Sequence, residues 1–290
     1  MRLYDMNFIR IIPKYNHLWA VKSPDEEVDE LTLLFRKWNN AEYLLDFFME
    51  NFEDLRSFFK IERLDQAIED TFEDAEALEE LVLEFPYTEN LDELFNPLDI
   101  TDTRMSELTR EKARNWDRER HASWLRIYAI RLEPNVYVVT GGAIKLTRTM
   151  QEREHTALEL DKLNRCKAFL KANGVFDQDS LLNSLMKNNM ASKAIKFLET
   201  HESESPSRFV EEAAWRKENA SWLRWSRQLA VTLVGYMQDN GMKRADLASK
   251  LGVSPQYVSK LLSGTENLSF KSIANIEDRL GISCLVMVNT

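Results

Sequence analysis

Residues 229–282 read LAVTLVGYMQDNGMKRADLASKLGVSPQYVSKLLSGTENLSFKSIANIEDRLGI, and the spacing within this stretch decides the architecture of the C-terminal part of the chain. Leu229, Leu233, Tyr236 and Met237 step by three or four residues along one helical face, which stops at Asn240-Gly241. A second helix runs from Lys243 or Arg244 to Leu251, with Leu247 and Ala248 inward. Anything bulkier than Ala248 would push two crossing helices apart. Gly252 supplies a tight turn. Ser254-Pro255 is a start signal, a capping hydroxyl followed by proline at the first helical position. The third helix, 255–262, buries Val258, Leu261 and Leu262 and leaves Gln256, Tyr257, Ser259 and Lys260 outward. Ser263-Gly264 ends it. A last helix near 270–280 closes the bundle through Ile273, Ile276 and Leu280.

A short helix of this kind fits the major groove of DNA, where Gln pairs with adenine and Lys reaches guanine edges. The helix N-termini, with Ser254, Lys243 and Arg244 beside them, suit phosphates. The segments ADLASKLGVS, QYVSKLLSG and NLSFKSIANIEDRLGI together resemble the Cro/repressor-type (XRE) helix-turn-helix family. That resemblance assigns Arg244, Pro255, Gln256 and Lys260 to base-reading or groove-edge positions, and Ser254 and Asn267 to phosphate contacts. Pro255 has no N–H, so it reads a base only by apolar contact. The preceding EEAAWRKENASWLRWSRQLA is similar to the leader of a group of bacterial antitoxins that carry the same motif. Trp215, Trp222 and Trp225 stand there at helical spacing, either as core of an extended bundle or as a surface that grips a toxin.

Outward from this domain the charge changes. Of the 290 residues, 1–100 carry 25 acidic and 9 basic side chains, 101–189 carry 12 and 16, and 190–290 carry 11 and 13. The net charge of −10 therefore hides two mildly basic segments behind an acidic one, and nucleic-acid binding concerns only the last two. Cys166 and Cys284 lie far apart, outside any CxxC or His/Cys cluster, so no disulfide framework, metal site or cofactor is expected. The opening MRLYDMNFIR lacks the layout of a signal peptide, and no apolar run has spanning length. The expectation is a cytoplasmic protein without a membrane partner.

Residues 6–22 are rich in β-formers and read as a strand or hairpin. Ser23-Pro24-Asp25 opens a helical region through about Glu50. Residues 61–85 form an amphipathic helix whose other face is nearly all carboxylate, read as a solvated face. Residues 86–103 look like a connector, and SELTREKARNWDRER (106–120) like a basic helix. SWLRIYAIRL, NVYVVT and AIKLT read as a three-stranded antiparallel meander, with turns at Glu133-Pro134-Asn135 and Gly141-Gly142. A helix from about Glu152 ends at Gly174, and a short one follows at about 178–188. Met190 then opens a new texture, with a Ser/Glu/Pro-rich break at 202–207.

The fold class expected is an α+β N-terminal domain, an antiparallel sheet with helices, followed by an all-α helix-turn-helix domain. The domains expected are 1–189 with an acidic helical insertion at about 51–100, a leader at 190–228, and the DNA-binding domain at 229–290.

The order of elements in 123–171, with IKLTRTMQEREHTALEL at its centre, resembles the RelE/HigB-type toxins of the RelE/ParE superfamily. It departs from the common form by lacking a Lys-Lys pair and by the acidic insertion. The resemblance implies metal-independent cleavage of mRNA, usually on the ribosome, by attack of the RNA 2′-OH on the neighbouring phosphate. Strand alternation sets Arg126, Tyr128 and Ile130 on the face opposite Leu125, Ile127 and Ala129. Arg126, Lys145, Arg148, Arg153 and His155 are the expected catalytic cluster, with His155 as acid because imidazole titrates near neutrality.

The reading is thus a toxin–antitoxin protein. Its C-terminal domain masks the toxin by an intramolecular contact, binds operator DNA as a homodimer and represses its own promoter. The alternative is a transcriptional regulator with a non-catalytic N-terminal sensor or dimerisation domain. A third option is two neighbouring gene products joined in one chain.

Overall fold

The computed structural model describes residues 6–88, 90–98, 108–114, 122–175 and 193–284. The helix expected at 178–188, the boundary at Met190 and most of the strand-like 284–289 lie outside the described residues. Packing groups the chain into two compact units, residues 1–35 with 76–212, and residues 36–75 with 213–290. The expected division at 189/190 followed texture along the chain, whereas packing places 36–75 with the C-terminal residues.

The first unit is built on a six-stranded sheet of order β1-β2-β6-β5-β4-β3. Its strands are β1 (Asn7–Arg10), β2 (Leu18–Lys22), β3 (Phe95–Pro97), β4 (Thr109–Ala113), β5 (Leu125–Glu133) and β6 (Val136–Ile144). The expected hairpin at 6–22 is present as β1 and β2. However, β2 pairs with β6 in parallel while the other pairs are antiparallel, so the sheet is mixed. A parallel pair needs a long crossover, and here residues 23–135 lie between the two strands.

Two further expectations are corrected. TREKA at 109–113 is strand β4, not helix. Gly141-Gly142 is not a turn, because β6 runs through it to Ile144, and the meander of three becomes a hairpin of two long strands. Space explains the glycines. A Cβ on Gly142 would stand 2.3 Å from the Arg126 carbonyl oxygen and 2.7 Å from Leu34 Cδ1. The turn at 133–135 holds, with Asn135 left-handed at φ 63, a conformation Asn tolerates better than most residues.

Helix α4 (Glu154–Ala172) covers one face of the sheet. Leu163, Cys166, Phe169 and Leu170 pack there with Phe8, Trp19, Tyr128, Ile130 and Val138 in one core. Each fully buried large apolar side chain contributes about 1.5–3 kcal/mol relative to exposure. Gly174 ends the helix at φ 65, with the Val175 N–H returning to the Leu170 carbonyl at 3.1 Å, as expected from sequence. Helix α5 (Lys193–Thr200) adds Ala194 and Leu198 to the same core. Cys166 is buried and unpaired, and burial raises its thiol to about 12.

Helix α1 (Glu30–Trp38) begins later than Ser23-Pro24 suggested. Its start is set by Asp29, whose carboxylate accepts from the Thr32 N–H at 3.0 Å and the Thr32 hydroxyl at 2.8 Å. Helix α2 (Ala41–Glu50) is capped by Asn40, which accepts from the Tyr43 N–H. Helix α3 (Leu64–Thr88) fulfils the amphipathic pattern and continues into the start of the stretch read as a connector. Its carboxylate face is only partly solvated, since Asp70, Asp74 and Glu79 are buried.

The helices α6 (Phe209–Glu218), α7 (Ala220–Asp239), α8 (Arg244–Leu251), α9 (Pro255–Ser263) and α10 (Phe270–Leu280) complete the chain. Within the second unit, Arg63 forms an ion pair with Asp239 at 2.7 Å. The Arg227 guanidinium lies 5.1 Å from the Phe72 ring centroid and donates to Asn39 Oδ1.

Candidate nucleic-acid interfaces

In the second unit the bundle α7–α10 forms as the sequence dictates. Leu247, Ala248, Leu251, Val258, Leu261, Leu262, Ile276 and Leu280 are buried. Gly252 and Gly264 end α8 and α9 in the left-handed conformation, at φ 63 and 74. Ser254 caps α9, its Oγ accepting from the Tyr257 N–H at 3.2 Å, with Pro255 at the first helical position. The Lys243 N–H donates to Asp246 Oδ2 at 2.8 Å, closing the first turn of α8.

These local rules aim the outward residues. Ser254, Pro255, Gln256, Lys260 and Asn267 are exposed, and Tyr257 and Ser259 are half-buried. Lys260 stands 3.9 Å from Glu266. Arg244 and Ser259 point instead at α2. Ser259 Oγ donates to Glu42 Oε1 at 2.6 Å, and Arg244 pairs with Glu42 at 3.4 Å and with Asp46.

The tryptophans before the bundle are only partly core. Trp215 and Trp225 keep 46% and 41% of their surface. Trp215 meets Trp222 edge-on at 5.9 Å, Trp222 Nε1 donates to Asn219 Oδ1, and Arg224 lies over Trp225.

The first unit contributes a cavity of about 330 Å³. Arg110, Lys112 and Arg114 follow each other at every second residue of β4 and its continuation, so alternation puts all three on one face. Register places Lys112 opposite Tyr128 and Arg110 opposite Ile130 on β5. Arg126, Lys145 and Arg148 line the same cavity, and among the described residues no carboxylate does. Arg126 is anchored by donating to the carbonyls of Ser123 and Leu125, both at 2.6 Å. Lys145 Nζ donates to the carbonyls of Thr147 and Arg148. Burial, then the nearby charges of Arg126 and Lys112, hold the Lys145 ammonium below its usual range.

The Tyr128 hydroxyl is the most informative atom of this site. The residue is wholly buried and lines the cavity, yet its Oη has no hydrogen-bond partner. Burial raises its pKa, so it is a neutral donor. A buried hydroxyl without a partner is costly, and here it borders a chamber of cations.

Three of the five expected catalytic residues, Arg126, Lys145 and Arg148, are thus brought together. Arg153 and His155 are not among the cavity residues. Arg153 donates to the Glu152 carbonyl at 2.9 Å, and His155 Nε2 lies 3.0 Å from the Ile144 carbonyl oxygen. Sequence reasoning missed Arg110, Lys112, Arg114 and Tyr128. The signal was the period-two recurrence of cations in TREKAR, obscured by charge-rich composition that reads as helix.

The helix-turn-helix family model matches residues 236–286. No curated protein and no solved structure matches the chain. The match covers the bundle of the C-terminal part and supports binding of operator DNA by a helix-turn-helix of the kind found in transcription regulators. No helix among the described residues is long and apolar enough to cross a membrane.

Proposed function

We propose that this chain is a toxin–antitoxin protein, in which the helix-turn-helix domain represses transcription and the first unit binds and cleaves RNA. The observation that supports the RNA half is the cavity of six cations with an unpartnered buried hydroxyl at its wall. Such a chamber suits a phosphodiester, whose oxygens accept from guanidinium, ammonium and phenol together.

The reaction requires the 2′-oxygen of RNA to attack the adjacent phosphorus. A 2′,3′-cyclic phosphate forms, the bond to the 5′-oxygen breaks, and the 2′ proton passes to water. Arg126, Arg148 and the arginines of β4 stabilise the charge that develops on the phosphoryl oxygens. Lys145 takes the acid role first given to His155. Its lowered pKa brings its acidity towards the operating pH, where proton donation to the leaving oxygen is most effective. A symmetric dimer on a palindromic operator completes the proposal.

The test uses the intact chain with end-labelled mRNA, free and on ribosomes, beside an Arg126→Ala/Lys145→Met/Arg148→Ala variant. Products ending in 2′,3′-cyclic phosphate with wild type, and none with the variant, support the reading. Selected duplexes that bind while RNA is neither bound nor cut leave a DNA-binding regulator whose first unit is a sensor or assembly module.

A further inference from the structure

The DNA-facing surface of the helix-turn-helix already has an acidic occupant. Helix α2 carries Glu42, Asp46 and Glu50 at every fourth residue and no basic side chain, so its carboxylates rise along one flank at about 6 Å per step. Two of them reach residues assigned to DNA. Glu42 accepts from Ser259 of α9 at 2.6 Å and pairs with Arg244 at the N-terminus of α8 at 3.4 Å. Asp46 takes the other side of the same guanidinium. All belong to the same compact unit. The apolar flank of α2, Leu44, Leu45, Phe47 and Phe48, is buried, which holds the carboxylates in place.

We propose that α2 competes with operator DNA for Arg244 and Ser259, standing in for the phosphate backbone until a duplex displaces its carboxylates. A carboxylate and a phosphate oxygen present the same chemistry to a guanidinium and a hydroxyl, an anionic acceptor for charge-assisted hydrogen bonds. The two cannot share the donors, and a phosphate brought to Arg244 meets the like charges of Glu42 and Asp46. Gln256, Lys260 and Asn267 are left exposed. The contacts held back are therefore one at the N-terminus of α8 and one midway along α9, while Gln256 and Lys260 of α9 and Asn267 beyond it stay presented. Sequence-independent affinity rests mainly on phosphate contacts, so α2 lowers it.

The inference rests on the DNA-binding reading, and the experiment separates the two. Intact wild type, Glu42→Gln/Asp46→Asn, Asp46→Asn alone, and Glu218→Gln/Asp278→Asn as a charge-matched control are titrated by anisotropy. The probes are a mixed-sequence 30-base-pair duplex and one selected from a random pool. The double variant is expected to bind both about tenfold tighter than wild type, as two partly exposed ion pairs would allow. Asp46→Asn, at a half-exposed side chain, is expected to give about a threefold gain. The control should stay within about twofold, since the carboxylates that hold Arg244 and Ser259 are those of Glu42 and Asp46. A double variant no tighter than the control, or weaker than wild type, overturns the competition. Failure of every protein to hold either duplex overturns the DNA-binding reading and the competition with it.

Discussion

Lys145 Nζ donates to the Thr147 carbonyl oxygen at 2.7 Å, which fixes the ammonium at the rim of the cationic cavity while leaving it without an anionic partner among those carbonyls. Burial and the neighbouring Arg126 and Lys112 hold its pKa below the usual 10.5. Between that lowered value and 10.5 the folded chain binds fewer protons than the unfolded one, so this group makes stability rise with pH there. Anion binding has the opposite dependence, because a bound phosphate favours the ammonium. RNA affinity is expected to fall as pH rises through the lowered pKa. Lys145→Met should flatten that dependence and weaken binding about tenfold, while thermal stability at pH 7 is unchanged or slightly raised.

Tyr128→Phe separates ligand binding from structure. The phenol oxygen has no partner in the folded chain, so its removal should leave stability unchanged or raise it by about 1 kcal/mol in urea unfolding. RNA binding should nevertheless weaken by about tenfold or more, the loss of one hydrogen bond to a charged group. A marked loss of stability would give the hydroxyl a structural role instead.

The network around Asp92 predicts a second pH effect. Burial by itself would raise the Asp92 pKa, but hydrogen bonds from Arg131 and Tyr137 outweigh it and the net shift is downward. The contacts are 2.9 Å to Arg131 Nε and 2.6 Å to Tyr137 Oη. A carboxylate with a depressed folded pKa stabilises the fold above its unfolded pKa, and this is lost as pH falls through the folded value. Asp92→Asn should cost about 1–3 kcal/mol near neutrality and make unfolding less sensitive to acid below pH 4, as followed by circular dichroism.

Gly142→Ala tests the account of β6. The added methyl meets the Arg126 backbone oxygen at 2.3 Å and Leu34 at 2.7 Å, and backbone yields poorly. A loss of about 1–3 kcal/mol is expected from overpacking, with DNA binding by the second unit retained. Full tolerance of alanine would show that the strand has room for a side chain.

On the DNA side, Gln256→Ala removes an exposed amide at the start of α9. It should cost about 1–3 kcal/mol against the selected duplex and little against mixed sequence. Equal losses on both would make Gln256 a backbone contact.

The helix-turn-helix was legible because its determinants are local. The capping Ser254, Pro255, Gly252 and Gly264 act within one turn of where they stand, and the apolar period of Leu247, Val258 and Leu261 spans a few residues. The sheet was legible only where alternation coincided with apolar composition, as in β5. β4 was not, since Arg110, Glu111 and Lys112 carry no β-forming signature. They become a strand because Glu111 is buried, with the hydroxyls of Thr109 at 3.0 Å and Tyr137 at 3.2 Å. Gly141-Gly142 read as a turn because the demand for small residues comes from Leu34 and Glu159, distant in sequence. The association of 36–75 with 213–290 has no local mark either. The pairing of Glu42 with Ser259 spans 217 residues.

The most direct test of the account is retention of single-stranded RNA by the intact chain, wild type against Lys145→Met/Arg148→Ala, with the selected duplex measured in parallel. The account predicts that the cavity variant loses RNA at least about tenfold while its affinity for the duplex is unchanged. RNA held equally by both proteins, or by neither, would contradict the assignment of the first unit to RNA.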